Sequence, residues 1–141
     1  MSRVYWDTLL FVYLFEDHPG RAARLAQISE AMDRRGDTLC TSVFTLAEIL
    51  GAPLEAGNAE VAARILEAMR APRVELLPFT AAAAERCACI RAENRIALAD
   101  AIHLATAAET RVERFLTHDP RLAELSIPGI GRIAGVDESD C

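Results

Sequence analysis

Four acidic residues, Asp7, Glu48, Asp100 and Asp119, lie where a strand pattern hands over to a helix or within the opening turns of one. Asp7 ends the strand-forming run Val4-Tyr5-Trp6, and a second apolar run follows with no loop between them. Glu48 falls in the helix after a second strand pattern, Asp100 in the first turn of another helix, and Asp119 just after a short strand. In a doubly wound α/β sheet such positions converge on the carboxyl edge of the strands, where ligands bind. Carboxylates gathered there repel one another unless a cation neutralises them. Mg²⁺ or Mn²⁺ suits carboxylate and water oxygens best. Each acid also has a plain explanation: Asp7 and Asp119 as helix N-caps, Asp100 as a favourable first-turn charge, Glu48 as one exposed glutamate among many. Their common position at one edge favours the joint reading.

The elements that must position these acids follow from periodicity. Strand patterns cover residues 3–7, 38–42, 74–79, 114–117 and 130–134. Helical spacing covers 8–16, 21–34, 58–70, 81–94 and 98–110, with a brief helix from the His118-Asp119-Pro120 turn to Leu125. A further helix begins near Val43, and Gly51, Pro53 and Gly57 make it imperfect. Ser42 and Thr80 are placed to cap helix starts, and Gly36 to cap a helix end. Trp6, Phe11, Leu14 and Phe15 are expected in the core. The alternation predicts an α/β fold with a mostly parallel central sheet and helices on both faces. Residues 1–141 form a single domain, and the acidic tail after about residue 135 is expected to fray.

At 141 residues, 52% hydrophobic and 26% charged, the chain can bury a proper core. No apolar run approaches the roughly 18 residues of a spanning helix, and no secretory pattern opens the sequence, which predicts a cytoplasmic protein. The net charge is −6, and all 15 basic residues are arginine. That balance argues against passive coating of nucleic acid but not against an enzyme whose metal ions supply positive charge. Cys87 and Cys89 stand two apart and diverge on a helix, so the four cysteines are read as small buried residues plus a tail thiol, Cys141.

The segments around the acids occur in a telling order: Asp7-Thr8; Ser42-Val43-Phe44-Thr45-Leu46-Ala47-Glu48; Ala99-Asp100-Ala101-Ile102-His103-Leu104-Ala105-Thr106-Ala107; and Phe115-Leu116-Thr117-His118-Asp119. Together they resemble the PIN-domain family, in particular its short VapC-type toxin ribonucleases. The likeness runs from residue 3 to about residue 134, and its most specific piece is the stretch from Ala99 to Ala107.

The resemblance implies a PIN-like three-layer fold with an acidic pocket at the sheet edge. It further implies a Mg²⁺- or Mn²⁺-dependent endoribonuclease, the toxin of a type II toxin-antitoxin pair, with an antitoxin protein that blocks the pocket. The matching acids are Asp7, Glu48, Asp100 and Asp119. Asp7 and Asp100 would hold the metal, and Glu48 and Asp119 a metal-bound water or a second ion. Thr8 and Thr117 match hydroxyl positions beside them, and Ser42 a common polar start to the second motif. Two positions depart from the family pattern: Leu9 and His118 stand where it commonly has Asn. His103 and His118 read as structural or surface histidines. The apolar excess in 8–16 and 43–70 suits a homodimer face or an antitoxin groove. Two rivals remain. A haloacid-dehalogenase-like phosphatase would need an Asp where Leu9 stands, and in a non-catalytic α/β binding module the acids would merely cap helices.

Overall fold

A computed structural model of the chain describes residues 1–138. Five parallel strands form one sheet in the order β3-β2-β1-β4-β5. They are β1 (Arg3–Trp6), β2 (Thr38–Ser42), β3 (Val74–Leu77), β4 (Arg114–Thr117) and β5 (Arg132–Gly135). Helices α1 (Thr8–Phe15) and α2 (Arg21–Arg35) connect β1 to β2, and α3 (Val43–Glu55) and α4 (Ala59–Met69) connect β2 to β3. Helices α5 (Ala81–Asn94) and α6 (Leu98–Thr110) lead to β4, and α7 (Pro120–Ala123) lies between β4 and β5. The chain walks outward from β1 to β3 and then returns to place β4 on the other side of β1. Register pairs Tyr5 with Cys40 of β2 and with Phe115 of β4. The topological switch point therefore lies between the ends of β1 and β4, where Asp7 and Asp119 emerge.

Strand alternation divides the core into two layers. Val4, Trp6, Leu39, Leu116 and Ala134 point to one face, packing with Leu10, Phe11, Leu25, Ile28, Met32, Ile49 and Met69 from helices α1 to α4. Tyr5, Cys40, Phe115 and Ile133 point to the other, against Cys87, Ile90, Ala101, Leu104 and Ala108 of α5 and α6. The Tyr5 and Phe115 rings stack at 4.8 Å.

The expected elements are present, with physical reasons for the shifts. β3 stops at Leu77, two residues early, because Pro78 has no N–H to continue a ladder. β5 starts at Arg132 rather than Ile130: at Gly131 the chain passes so close to β4 that a Cβ would lie 2.4 Å from the Glu113 carbonyl oxygen. α3 runs on through Gly51 and Pro53 to Glu55. Gly36 ends α2 in the left-handed region at φ 75°, and Ser42 and Thr80 cap α3 and α5. Trp6 and Phe11 are core as expected, but Leu14 and Phe15 are exposed on the outer side of α1. Of the cysteines, Cys40 and Cys87 are buried, and burial pushes the Cys40 thiol up to about 12. Cys89, expected inside, is exposed because it stands two positions from inward-facing Cys87 on α5. Val136 is buried, and Arg24 donates to the carbonyl oxygens of Val136 and Glu138, so the chain is tied down as far as Glu138. The rest of the acidic tail, including Asp140 and Cys141, lies outside the described residues. Among those residues no helix is long and apolar enough to cross a membrane.

Candidate active site

All four acids line one cavity of about 470 Å³, together with Thr8, Leu9, His103, His118 and Arg121. It opens at the switch point. Asp7 leaves β1 in extended conformation and sits at the N-cap position of α1, yet its side chain makes no capping bond. Instead Asp7 Oδ2 accepts a 2.5 Å hydrogen bond from Thr117 Oγ1 at the end of β4. Its other oxygen, Oδ1, is buried and has no hydrogen-bond partner. The plain capping explanation therefore fails for Asp7. An enclosed, unpaired carboxylate oxygen costs free energy unless something else occupies its coordination.

Burial holds the Asp7 carboxyl above its ordinary range despite the Thr117 bond, and the Asp100 charge adds to the shift. Asp100 is raised as well, by burial and then by the neighbouring Asp119. The other two acids are lowered. Burial alone would raise Glu48, but hydrogen bonds from His103 and Thr8 outweigh it. Asp119 is lowered chiefly by Arg121, whose Nη2 lies 3.0 Å from Oδ2. Asp119 also caps α7, accepting from the Arg121 amide at 2.9 Å, so its plain reading holds in part.

Asp37 is a useful contrast. It lies between β2 and the ends of α2 and β4, paired with Arg35 and Arg114 and with the Ser2 amide at 2.9 Å. That acid is satisfied by the protein itself. Among the described residues neither Asp7 nor Asp100 is ion-paired with an arginine, although the Arg121 charge acts on Asp100, and that shortage of partners marks them as the pair that a cation would complete.

The remaining expected residues divide. Thr8 Oγ1 donates to Glu48 Oε1 at 2.5 Å, and Thr117 holds Asp7, so both hydroxyls act on acids. Ser42 does not reach the cavity: its Oγ accepts from the Phe44 amide and its side chain serves as the α3 cap. Leu9 lines the cavity where a haloacid-dehalogenase-like phosphatase would need its second Asp. His118 also lines it, packed edge-on against Tyr13 at 5.2 Å. Two residues were missed. His103 is buried, as a structural histidine would be, yet its Nε2 lies 2.6 Å from Glu48 Oε1. Arg121 stands over Asp119 at the cavity mouth. Their only sequence signals were position, three residues after Asp100 and two after Asp119. Arg86, by contrast, pairs with Glu109 away from the cavity.

Carboxylate oxygens outnumber the two imidazoles among the cavity's donors, which suits Mg²⁺ or Mn²⁺ better than a softer ion. Among the described residues no three metal-binding side chains are already gathered into a closed cage. Mg²⁺ does not require one, since it keeps several waters and takes one or two carboxylates. The unpartnered Asp7 Oδ1, in a cavity that Asp100 also lines, fits that pattern.

A chain of the crystal structure of VapBC2 from Rickettsia felis, bound to a DNA fragment from its promoter, superposes with a TM-score of 0.76 at 18% identity. The alignment covers 94% of this chain and 98% of that one. A toxin-antitoxin complex from Klebsiella pneumoniae gives a TM-score of 0.66 at 26% identity, covering 90% and 94%. VapC20 of Mycobacterium tuberculosis, a toxin that cleaves the sarcin-ricin loop, gives 0.65 at 14% identity, covering 79% and 86%. No curated protein matches the sequence significantly. A sequence model of the PIN domain matches residues 4–128, nearly the whole chain and all four cavity acids. The chain belongs to the PIN domain family.

Proposed function

We propose that the protein is a Mg²⁺- or Mn²⁺-dependent endoribonuclease and the toxin of a type II toxin-antitoxin pair. One observation carries the reading: Asp7 and Asp100, far apart in sequence, meet in one cavity with raised carboxyls and an unpartnered, enclosed oxygen. Asp7 Oδ1 and Asp100 would hold the ion. When bound, the ion lowers the pKa of a coordinated water and offsets charge at the phosphorus. The chain does the rest. Thr117 fixes Asp7 by its Oδ2 and leaves Oδ1 facing inward. Thr8 and His103 hold Glu48 by Oε1, which leaves Oε2 to orient the attacking water. Asp119 stands across the cavity for a second water or ion, and Arg121 beside it offers a cation to a flanking phosphate.

Direct attack by water needs no 2′-hydroxyl and leaves 5′-phosphate and 3′-hydroxyl ends. The test is RNA cleavage with Mg²⁺, Mn²⁺ or EDTA, comparing wild type with Asp7→Asn and Asp100→Asn. Activity abolished by EDTA and by either variant supports the reading. Cleavage indifferent to EDTA, or 2′,3′-cyclic phosphate ends, overturns it.

The partner side has its own observation. A second depression of about 510 Å³ runs between α1, α3 and α4, lined largely by Val12, Phe15, Ile49, Pro53, Val61 and Ile65, and it reaches Glu48. An amphipathic antitoxin helix would lay its apolar face there and end at the acidic cavity. The similar chain from Klebsiella pneumoniae belongs to a toxin-antitoxin complex. A homodimer and a cytoplasmic location complete the proposal.

A further inference from the structure

A line of hydrogen bonds runs from the middle of the sheet to the cavity wall. The Ser42 amide donates to Tyr5 Oη at 3.1 Å. Tyr5 Oη lies 2.6 Å from His103 Nδ1, and His103 Nε2 lies 2.6 Å from Glu48 Oε1. Tyr5 is fully buried and His103 only 4% exposed. The Tyr5 ring is stacked on Phe115, and the His103 ring meets both Tyr5 and Phe44 edge-on.

For a neutral imidazole, one proton assignment satisfies every contact in this line. A carboxylate only accepts, so Nε2 must carry the proton it donates to Glu48. With its single proton on Nε2, the imidazole leaves Nδ1 as an acceptor, and the Tyr5 hydroxyl donates to it. Tyr5 can do so because a phenol keeps its proton at neutral pH and Oη lies within hydrogen-bond reach of Nδ1. Its oxygen still accepts from Ser42, whose amide is fixed where β2 passes into α3. Thr8 Oγ1 reinforces the far end, donating to the same Glu48 oxygen at 2.5 Å.

We propose that Tyr5 and His103 form a positioning pair: Tyr5 selects the Nε2–H tautomer of His103, and His103 clamps Glu48 Oε1 so that Oε2 is turned toward the metal-binding cavity. The inference rests on reading that cavity as a divalent-metal nuclease site. Neither residue touches substrate. Their work is to remove the rotational freedom that a glutamate with 29% of its side chain exposed would otherwise keep.

Three variants of the pair, a Glu48→Gln background and three readouts test it. In the metal-free protein, long-range ¹H–¹⁵N NMR of the His103 ring should show Nε2 protonated and Nδ1 accepting, and Tyr5→Phe should convert this to a tautomer mixture. In Mn²⁺ titrations, His103→Leu should weaken binding about 10- to 100-fold, the range for residues that orient metal-site groups. His103→Gln, whose amide can donate to Oε1, should recover part of that loss. In a Glu48→Gln background, His103→Leu should add nothing. For RNA cleavage, kcat should fall with KM unchanged. A protonated Nδ1, an unaltered tautomer in Tyr5→Phe, or an equal His103→Leu loss in the Glu48→Gln background would each overturn the pair. Tyr5→Phe removes one hydroxyl, so it reports even if His103→Leu folds poorly. A wild-type protein that binds no Mn²⁺ refutes the nuclease reading instead, and the tautomer measurement still judges the Tyr5–His103 contact separately.

Discussion

Thr117 Oγ1 donates to Asp7 Oδ2 at 2.5 Å across 110 residues of sequence. The bond joins the ends of β1 and β4 at the switch point of the sheet. It also spends one Asp7 oxygen and leaves the other with no protein partner.

Thr117→Val keeps the shape of the side chain and deletes that donor. Asp7 can then rotate. We expect Mn²⁺ affinity and kcat to fall roughly 10- to 100-fold. Thr117→Ser should retain most of both, since it keeps the hydroxyl. Calorimetric Mn²⁺ titration of the three proteins checks this, and an unaffected Thr117→Val would remove Thr117 from the site.

Asp7 and Asp100 have raised carboxyls in the folded state. The folded protein therefore holds these protons more tightly than the unfolded chain. Stability falls as pH rises from the ordinary carboxylate value, about 4, through the folded values. Metal-free Asp7→Asn and Asp100→Asn should accordingly melt a few degrees above wild type at neutral pH, with the gap closing below about pH 4. Mg²⁺ should stabilise wild type and leave both variants nearly unmoved. Thermal melts at several pH values, with and without Mg²⁺, provide the comparison.

Asp37 should behave oppositely. Its carboxyl is lowered in the fold: burial opposes the shift, but the Ser2 amide, Arg35 and Arg114 outweigh it. Stability from Asp37 is present above the unfolded value and lost as pH falls through the folded one. Breaking its buried ion pairs with Asp37→Asn should cost about 3 kcal/mol at neutral pH. Mn²⁺ affinity should be unaltered. Denaturant unfolding at pH 7 and in acid would expose the trend.

Arg121 occupies Asp119 with its own charge. Arg121→Gln removes a cation that competes for the same carboxylate. We expect tighter Mn²⁺ binding together with a higher KM for RNA, because the same guanidinium offers charge to phosphate. Both quantities moving in the same favourable direction would refute this dual role.

Phe15 and Val61 face the groove away from the acids. Phe15→Glu or Val61→Asp should abolish copurification with the antitoxin and leave RNA cleavage near wild type. If the pair still forms, the partner lies elsewhere.

Much of this was legible from sequence because the signals are local. Val4 and Trp6 alternate with Tyr5, so the sheet between two helical layers follows from period. Asp7 and Asp119 were legible because each lies at a strand-to-helix joint, Glu48 and Asp100 because each lies in the opening turns of a helix. The ends of β3 and β5 were not, because Pro78 and Gly131 act through neighbouring strands. His103 escaped for a similar reason. Its partners, Tyr5 and Glu48, are 98 and 55 residues away, and helical spacing from Asp100 says nothing of either. Ser42 carried two readings, a helix cap and a motif position, and the cap is the one its Oγ fulfils.

Glu48 borders the acidic cavity and the apolar groove at once. A side chain shared between two depressions makes their occupants thermodynamically aware of each other. If a helix seated in the groove pulls Glu48 out of its clamp, the ion is held less tightly. Reciprocity then demands that the ion loosen the helix by the same factor. Cellular magnesium would in that case set how readily the inhibitor lets go.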